Sequence, residues 1–250
     1  MKNLIENGKK LNNEIAIAQN MEDIKKIEDL LNTGYEWIRK GVPKLIAPIE
    51  ESTERYSEKH TSIEDAAKAL IATHVKLSAS TGFITGLGGA ITIPVTLPAD
   101  LISVTWIQLR MVAGIAKLGG YDLNDDEVKA FIMACLTGQT VSSVLKDAGI
   151  NVGEKVVLTG IKKIPGEAIN RINQRVGFKL LTKFGEKGVI NIGKIIPVVG
   201  GVVGGGFDAM TTLIIARNAY KLFIGNSVAS NNDIIGDFTL EDIEDIAEVA

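Results

Sequence analysis

The stretch TGFITGLGGAITIPVTLPADLISVTWIQLRM, residues 81–111, runs from Gly- and Pro-rich apolar sequence through a single acid, Asp100. It then enters an uncharged stretch that reaches Arg110. A second stretch, GKIIPVVGGVVGGGFDAMTTLIIARNAYKLF, residues 193–223, repeats that order with Asp208 and Arg217. Each is too apolar and glycine-rich for an ordinary surface and too interrupted for an ordinary membrane span. Both read as close-packed helical hairpins that form the core or meet lipid. Gly82/Gly86, Gly200/Gly204 and Gly201/Gly205 are each four residues apart, a spacing that flattens a helix so that another backbone can approach. A mid-helix glycine costs roughly 1 kcal/mol relative to alanine, so this density of them calls for a compensating gain from packing or adaptability.

The flanking sequence extends a helical reading. Residues 22–40 place Ile24, Ile27, Leu30, Leu31, Tyr35 and Ile38 at helical spacing and stop at Gly41. Residues 62–80 open with a capping box, Ser62 as N-cap and Asp65 near N3. Pro98 suits the first turn of a helix over 98–118 that ends at Gly119-Gly120. Asn124 or Asp125 caps a helix running to about Gly138, and Gly149, Asn151 and Gly153 suggest a break. Further helices are predicted over 167–184 and 200–223, with a short one after Thr239. No segment shows sustained period-two alternation between hairpin turns. The fold class is all-α: a single multi-helix domain around two central Gly-rich apolar helices, 98–118 and 200–223.

The chain has 250 residues, enough for a sizeable core, and 46% are hydrophobic. Its single cysteine, Cys135, excludes an intramolecular disulfide and fits a reducing cytoplasm. In the run AFIMACLTG it reads as a buried, inert thiol. The N-terminal residues mix charges throughout, and no secretory leader is expected. Residues 77–99 carry no charge and meet the length of a membrane span. Their four glycines and two prolines make transfer into lipid poor, so a buried hairpin is favoured over a single-pass anchor.

Net charge is −3, unevenly spread. The last twenty residues hold seven acids and no base, while residues 155–194 hold nine bases and two acids. Arg171, Arg175, Lys179, Lys183 and Lys187 recur every four residues, beside Ile172, Val176, Leu180 and Phe184. Adjacent basic and apolar rows are the pattern of a helix lying on anionic lipid, and equally of an ordinary amphipathic helix with a solvated basic face. No aromatic residues interleave the bases in a stacking platform, so a nucleic-acid partner is not expected. The acidic tail has the charge to fold back onto the basic row and mask it.

Chemistry-bearing motifs are absent. There is no HExxH, CxxC, GxSxG or GxxxxGK[ST], and the two histidines lack a metal-ligand pattern. His74, on an apolar helix, reads as a core histidine bonded to backbone. No catalytic residue, metal or cofactor is expected, and enzymatic activity is disfavoured. The candidate polar core site is Asp100, Gln108, Arg110, Asp208, Thr211 and Arg217, because a lone buried carboxylate is costly without a partner. The two arginines are candidate partners for the two acids, crosswise between the helices. A structural ion-pair network is favoured over a site for a lipid headgroup or ion.

Three segments, TGFITGLGGAITIPVTLPADL (81–101), QLRMVAGIAKLGGYDLND (108–125) and KLLTKFGEKGVINIGKIIPVVGGVVGGGFDA (179–209), resemble the EcsC family. LPADL followed by RMVA and GYDL, then FGEKG and PVVGG, is an unusual combination. The resemblance divides the chain into N-terminal amphipathic helices (1–60), an EcsC-like helical domain (61–228) and an acidic C-terminal tail (229–250). The family takes its name from a protein encoded beside an ABC transporter implicated in secretion and processing, and it supplies no catalytic residues to carry over. It implies a bacterial, cytoplasm-facing protein associated with the inner face of the plasma membrane. The expected function is therefore a non-enzymatic membrane-peripheral helical protein, accessory to an ABC transporter or a secretion process. Its expected partners are an anionic membrane surface and a protein such as a transporter subunit. The alternatives are a soluble protein-interaction module and a membrane-permeabilising protein whose Gly-zipper hairpins open.

Overall fold

A computed structural model of the chain describes residues 21–22, 24–44, 46–79, 99–150, 166–184 and 205–225, with backbone alone at 99–102, 181–184 and 205–207. Among these residues there are eight α-helices and no strand beyond one isolated bridge, Val42 to Ile46. Helix α1 spans residues 24–40, α2 Ile49–Lys59, α3 Ile63–Ala79 and α4 Ala99–Leu118. Then come α5 Asp126–Cys135, α6 Val141–Asp147, α7 Gly166–Phe184 and α8 Gly205–Phe223. The fold is all-α, as the periodicity implies.

Local chemistry sets the helix ends. The Ser62 hydroxyl accepts the Asp65 N–H at 3.1 Å and donates to its carboxylate at 2.8 Å, so the predicted capping box starts α3. Helix α4 closes in a Schellman turn. Gly120 takes φ +82° while the Tyr121 N–H reaches the Ala116 carbonyl and the Gly120 N–H that of Lys117. Thr140 caps α6 by accepting the Ser143 N–H, and Gly149 at φ +74° ends it. Helix α2 was not anticipated. It is mostly polar and buries only Ile49 and Thr53, so it offers no broad apolar stripe.

Helices α3, α4 and α8 pack on one another at the centre. Helix α2 lies across α3 and α4, and α5 joins α4 and α8 to α7. The two apolar helices expected at the centre are there, with α3 as a third member. Leu109, Met111, Val112, Ala113, Ile115 and Ala116 of α4 are completely enclosed. Helix α1 crosses both α4 and α7. Its Tyr35 hydroxyl donates to the Leu123 carbonyl at 2.8 Å, and its Gly34 and Gly177 of α7 mark the two crossings.

Close approach uses glycines at Gly114 and Gly119; of the sequence-predicted four-residue spacings, Gly82, Gly86, Gly200, Gly201 and Gly204 lie outside the described residues. A Cβ on Gly114 would stand 2.7 Å from Leu70 of α3, and one on Gly119 only 2.2 Å from the Phe223 carbonyl oxygen at the end of α8. The second neighbour is backbone and cannot turn aside. Gly119→Ala is expected to lower stability by about 1–3 kcal/mol through overpacking. Gly166→Ala, at a helix start with open space around it, is expected to be neutral or stabilising by up to about 1 kcal/mol. Urea denaturation of the two variants checks both; equal effects would contradict the packing of α4 on α8.

Candidate functional site

The predicted polar core site divides between two faces of α4. Gln108 is buried, and its side-chain amide donates to Thr212 at 3.1 Å and, more weakly, to Thr211 at 3.4 Å on α8. Two of the predicted residues therefore meet, together with Thr212, which the sequence reading did not include. Asp208 and Arg217 are half-buried on α8 and each is engaged, and the Asp208 carbonyl accepts the Thr211 hydroxyl at 3.0 Å. The side chain of Asp100 lies outside the described residues.

Arg110 does not make the expected crosswise ion pair with Asp208. Its Nη2 donates to the Ala47 carbonyl at 3.1 Å, on the other side of the helix. The physical reason is helical register. Residues two apart on an α-helix are about 200° apart, so Gln108 and Arg110 cannot both face α8. Arg110 instead shares a face with Trp106, four residues earlier. The loop before α2 turns back on itself through paired Val42 and Ile46 backbone bonds and so presents Ala47 to Arg110.

That face of α4 opens onto a cavity of about 330 Å³ enclosed by α1, α2, α3 and α4. Trp37, Ile38, Leu77, Trp106 and Ile107 supply most of its wall, and Tyr56, Thr73, His74 and Arg110 its polar groups. Trp37 and Trp106 meet edge to face at 5.2 Å between centroids. Thr73 is exposed at the rim. Two donors in the wall are buried without an acceptor among the described residues: Arg110 Nη1 and Trp106 Nε1. Burial weakens the hold of Arg110 on its proton, and the nearby Arg55 adds to that while Tyr56 opposes it. No carboxylate of the described residues pairs with Arg110.

His74 lies in the same wall and is the core histidine expected from sequence. Its Nδ1 meets the Leu70 carbonyl at 2.8 Å, which assigns the proton to Nδ1. Burial pushes its pKa down to about 4, the backbone bond opposing and the Arg110 charge adding to the fall. Cys135 is likewise fully enclosed, and burial pushes its thiol up to about 12, which makes it inert as a nucleophile. Among the described residues, no group of three or more His, Cys, Asp or Glu is placed to hold a metal ion.

The predicted basic row winds around α7. Four-residue steps advance about 40° beyond a full turn each time, so the row cannot stay on one face. Arg171 is exposed. Arg175 lies over the Phe178 ring at 5.4 Å and only loosely approaches Asp147, at 3.9 Å. Lys179 has turned inward, pairing with Asp147 of α6 at 2.5 Å and bonding Gln139. The side chain of Lys183, and all of Lys187, lie outside the described residues. Ile172, Val176 and Leu180 are buried in the core, so the apolar row beside the bases is occupied by protein. The outer face carries Arg171, Arg175 and Phe178, the last 41% exposed.

A family model described as the EcsC protein family matches residues 1–224. The chain belongs to the EcsC family. The match takes in the whole cavity, the outer face of α7 and the N-terminal helices, and it stops short of the acidic tail. Searches of curated proteins and of solved structures returned no match. Among the described residues of this EcsC protein, no helix is long and apolar enough to cross a membrane, and most of the 77–99 window lies outside them.

The His74 environment fixes a pH dependence. The unfolded imidazole takes a proton near pH 6.5, while the folded one resists until about pH 4. The unfolded state binds more protons across that interval, so stability falls as pH drops through it. Between pH 7 and 5 the wild-type protein is expected to lose about 2 kcal/mol that His74→Gln does not lose. Urea titrations at the two pH values check this; parallel losses would show that His74 is not the buried neutral group.

Proposed function

We propose that the protein is a non-enzymatic, membrane-peripheral helical protein that meets anionic lipid through the outer face of α7. The observation that carries this reading is Phe178, a large apolar ring left 41% exposed beneath Arg175. Arg171, Arg175 and Phe178 follow an i, i+4, i+7 order, which keeps them on one narrow face. Cationic side chains flanking an exposed aromatic ring suit the boundary between headgroups and acyl chains. Because the apolar row of α7 is already in the core, attachment would be electrostatic with a shallow aromatic contact. An accessory role beside a transporter or secretion assembly, at the inner face of the plasma membrane, is the setting that membership of the EcsC family suggests.

Sedimentation with vesicles of phosphatidylglycerol and phosphatidylcholine, against phosphatidylcholine alone, tests the reading. Binding is expected with the anionic vesicles only and is expected to be lost at high salt. Each base near an anionic surface contributes about 1 kcal/mol, so Arg171→Gln with Arg175→Gln should weaken binding about thirtyfold. Phe178→Ser should weaken it in a way that salt does not abolish. Binding by the double variant as strong as wild type would overturn the assignment to α7. Absence of any vesicle binding would favour a protein partner on the same face.

A further inference from the structure

The cavity beneath the two tryptophans is separate from the α7 face and carries an inference of its own. It is apolar over most of its wall, yet it holds a guanidinium with one buried nitrogen that has no acceptor among the described residues, Arg110 Nη1, and a buried indole N–H in the same condition, Trp106 Nε1. A buried donor without an acceptor is expensive, and a charged one more so, which makes such groups uncommon unless something else meets them. Arg55 adds positive potential, Tyr56 opposes it, His74 is kept neutral chiefly by its own burial with the Arg110 charge adding to that, and none of the described carboxylates pairs with the guanidinium. The rest of the lining includes Trp37, Ile38, Leu77 and Ile107, which carry no charge. Its volume of about 330 Å³ lies within the range of small-molecule sites.

We propose that this cavity binds a single-chain anionic amphiphile, with an anionic oxygen head on Arg110 and an apolar tail along the tryptophan wall. A carboxylate or phosphate head accepts from Arg110 in the bidentate manner that guanidinium favours, while Trp106 contributes its ring to the apolar wall. An uncharged polar ligand would leave the cation unanswered, and an inorganic anion would leave the apolar wall unused. The two features together select the amphiphile. A free fatty acid and a lipid phosphate share this chemistry.

The protein supplies its own reporter, because Trp37 and Trp106 are the chain's two tryptophans and both line the cavity. Full-length protein is titrated with dodecanoate, dodecyl phosphate, dodecanol and dodecyltrimethylammonium, each below its micelle concentration, while tryptophan emission is followed. Both anions are expected to shift the emission and to bind at least tenfold more tightly than dodecanol, with the cation weakest. The better of the two anions separates a carboxylate source from a phosphate source. Arg110→Gln is expected to keep dodecanol affinity and lose the tenfold preference for anions, which a loss of fold would not produce. If that variant loses helical circular dichroism, Arg110→Lys replaces it and is expected to retain the anion preference. Equal binding of anion and alcohol by wild-type protein, or no change in emission with any of the four, would overturn the proposal.

Discussion

Helix α4 has to satisfy two incompatible environments at once, and the rest of the structure is arranged around that requirement. One side of it enters the closest packing in the molecule, against α3 and α8, with Leu109, Val112, Ala113 and Ala116 fully enclosed. Its C-terminus is pinned to α8 where Gly119 lies against the Phe223 carbonyl. The other side carries Trp106 and Arg110, too large and too polar for such a core. Helices α1 and α2 cover that side without filling it. The cavity is the space left when a bulky aromatic and a guanidinium project from a helix whose position is fixed by contacts on its opposite face.

The polar groups divide in the same way. Towards α8, Gln108 finds Thr211 and Thr212, and neutral hydrogen bonds between side chains cost little desolvation. Towards the cavity, Arg110 finds one carbonyl and, among the described residues, no acid. A cation held in that condition keeps its charge available to whatever enters. Burial, with the Arg110 charge adding to it, keeps His74 neutral beside it.

Much of the fold could be read from the chain because its helices have broad apolar stripes and explicit ends. The Ser62–Asp65 box, the Gly119-Gly120 stop and the isoleucine and leucine spacing of 24–38 each identify an element that the structure contains. Helix α2 escaped notice because it buries only Ile49 and Thr53. Its one legible signal was Pro48 followed by Glu50 and Glu51 in the first turn, with Lys59 in the last. The site was half legible. Matching acids with bases suggested a pair for Arg110 with Asp208, whereas the two-residue offset from Gln108 already placed Arg110 on the opposite face. The pairing of Trp106 with Arg110 at i, i+4 was the available signal for the cavity. Trp37 and Ala47 arrive there from other helices and loops, through contacts that no local spacing encodes. On α7 a four-residue repeat of bases drifts around the helix, so Lys179 ends beside Asp147 while Arg171 faces outward.

The central claim is that Arg110, half-buried and without a carboxylate partner among the described residues, takes its counter-charge from a bound anion. Anomalous diffraction from crystals soaked in bromide addresses it most directly, since bromide is small enough to enter without an apolar tail. The account predicts an anomalous peak within hydrogen-bond distance of Arg110 Nη1, in the cavity bounded by Trp37 and Trp106. A side-chain carboxylate of the protein itself occupying that position, with no bromide beside it, would contradict the account.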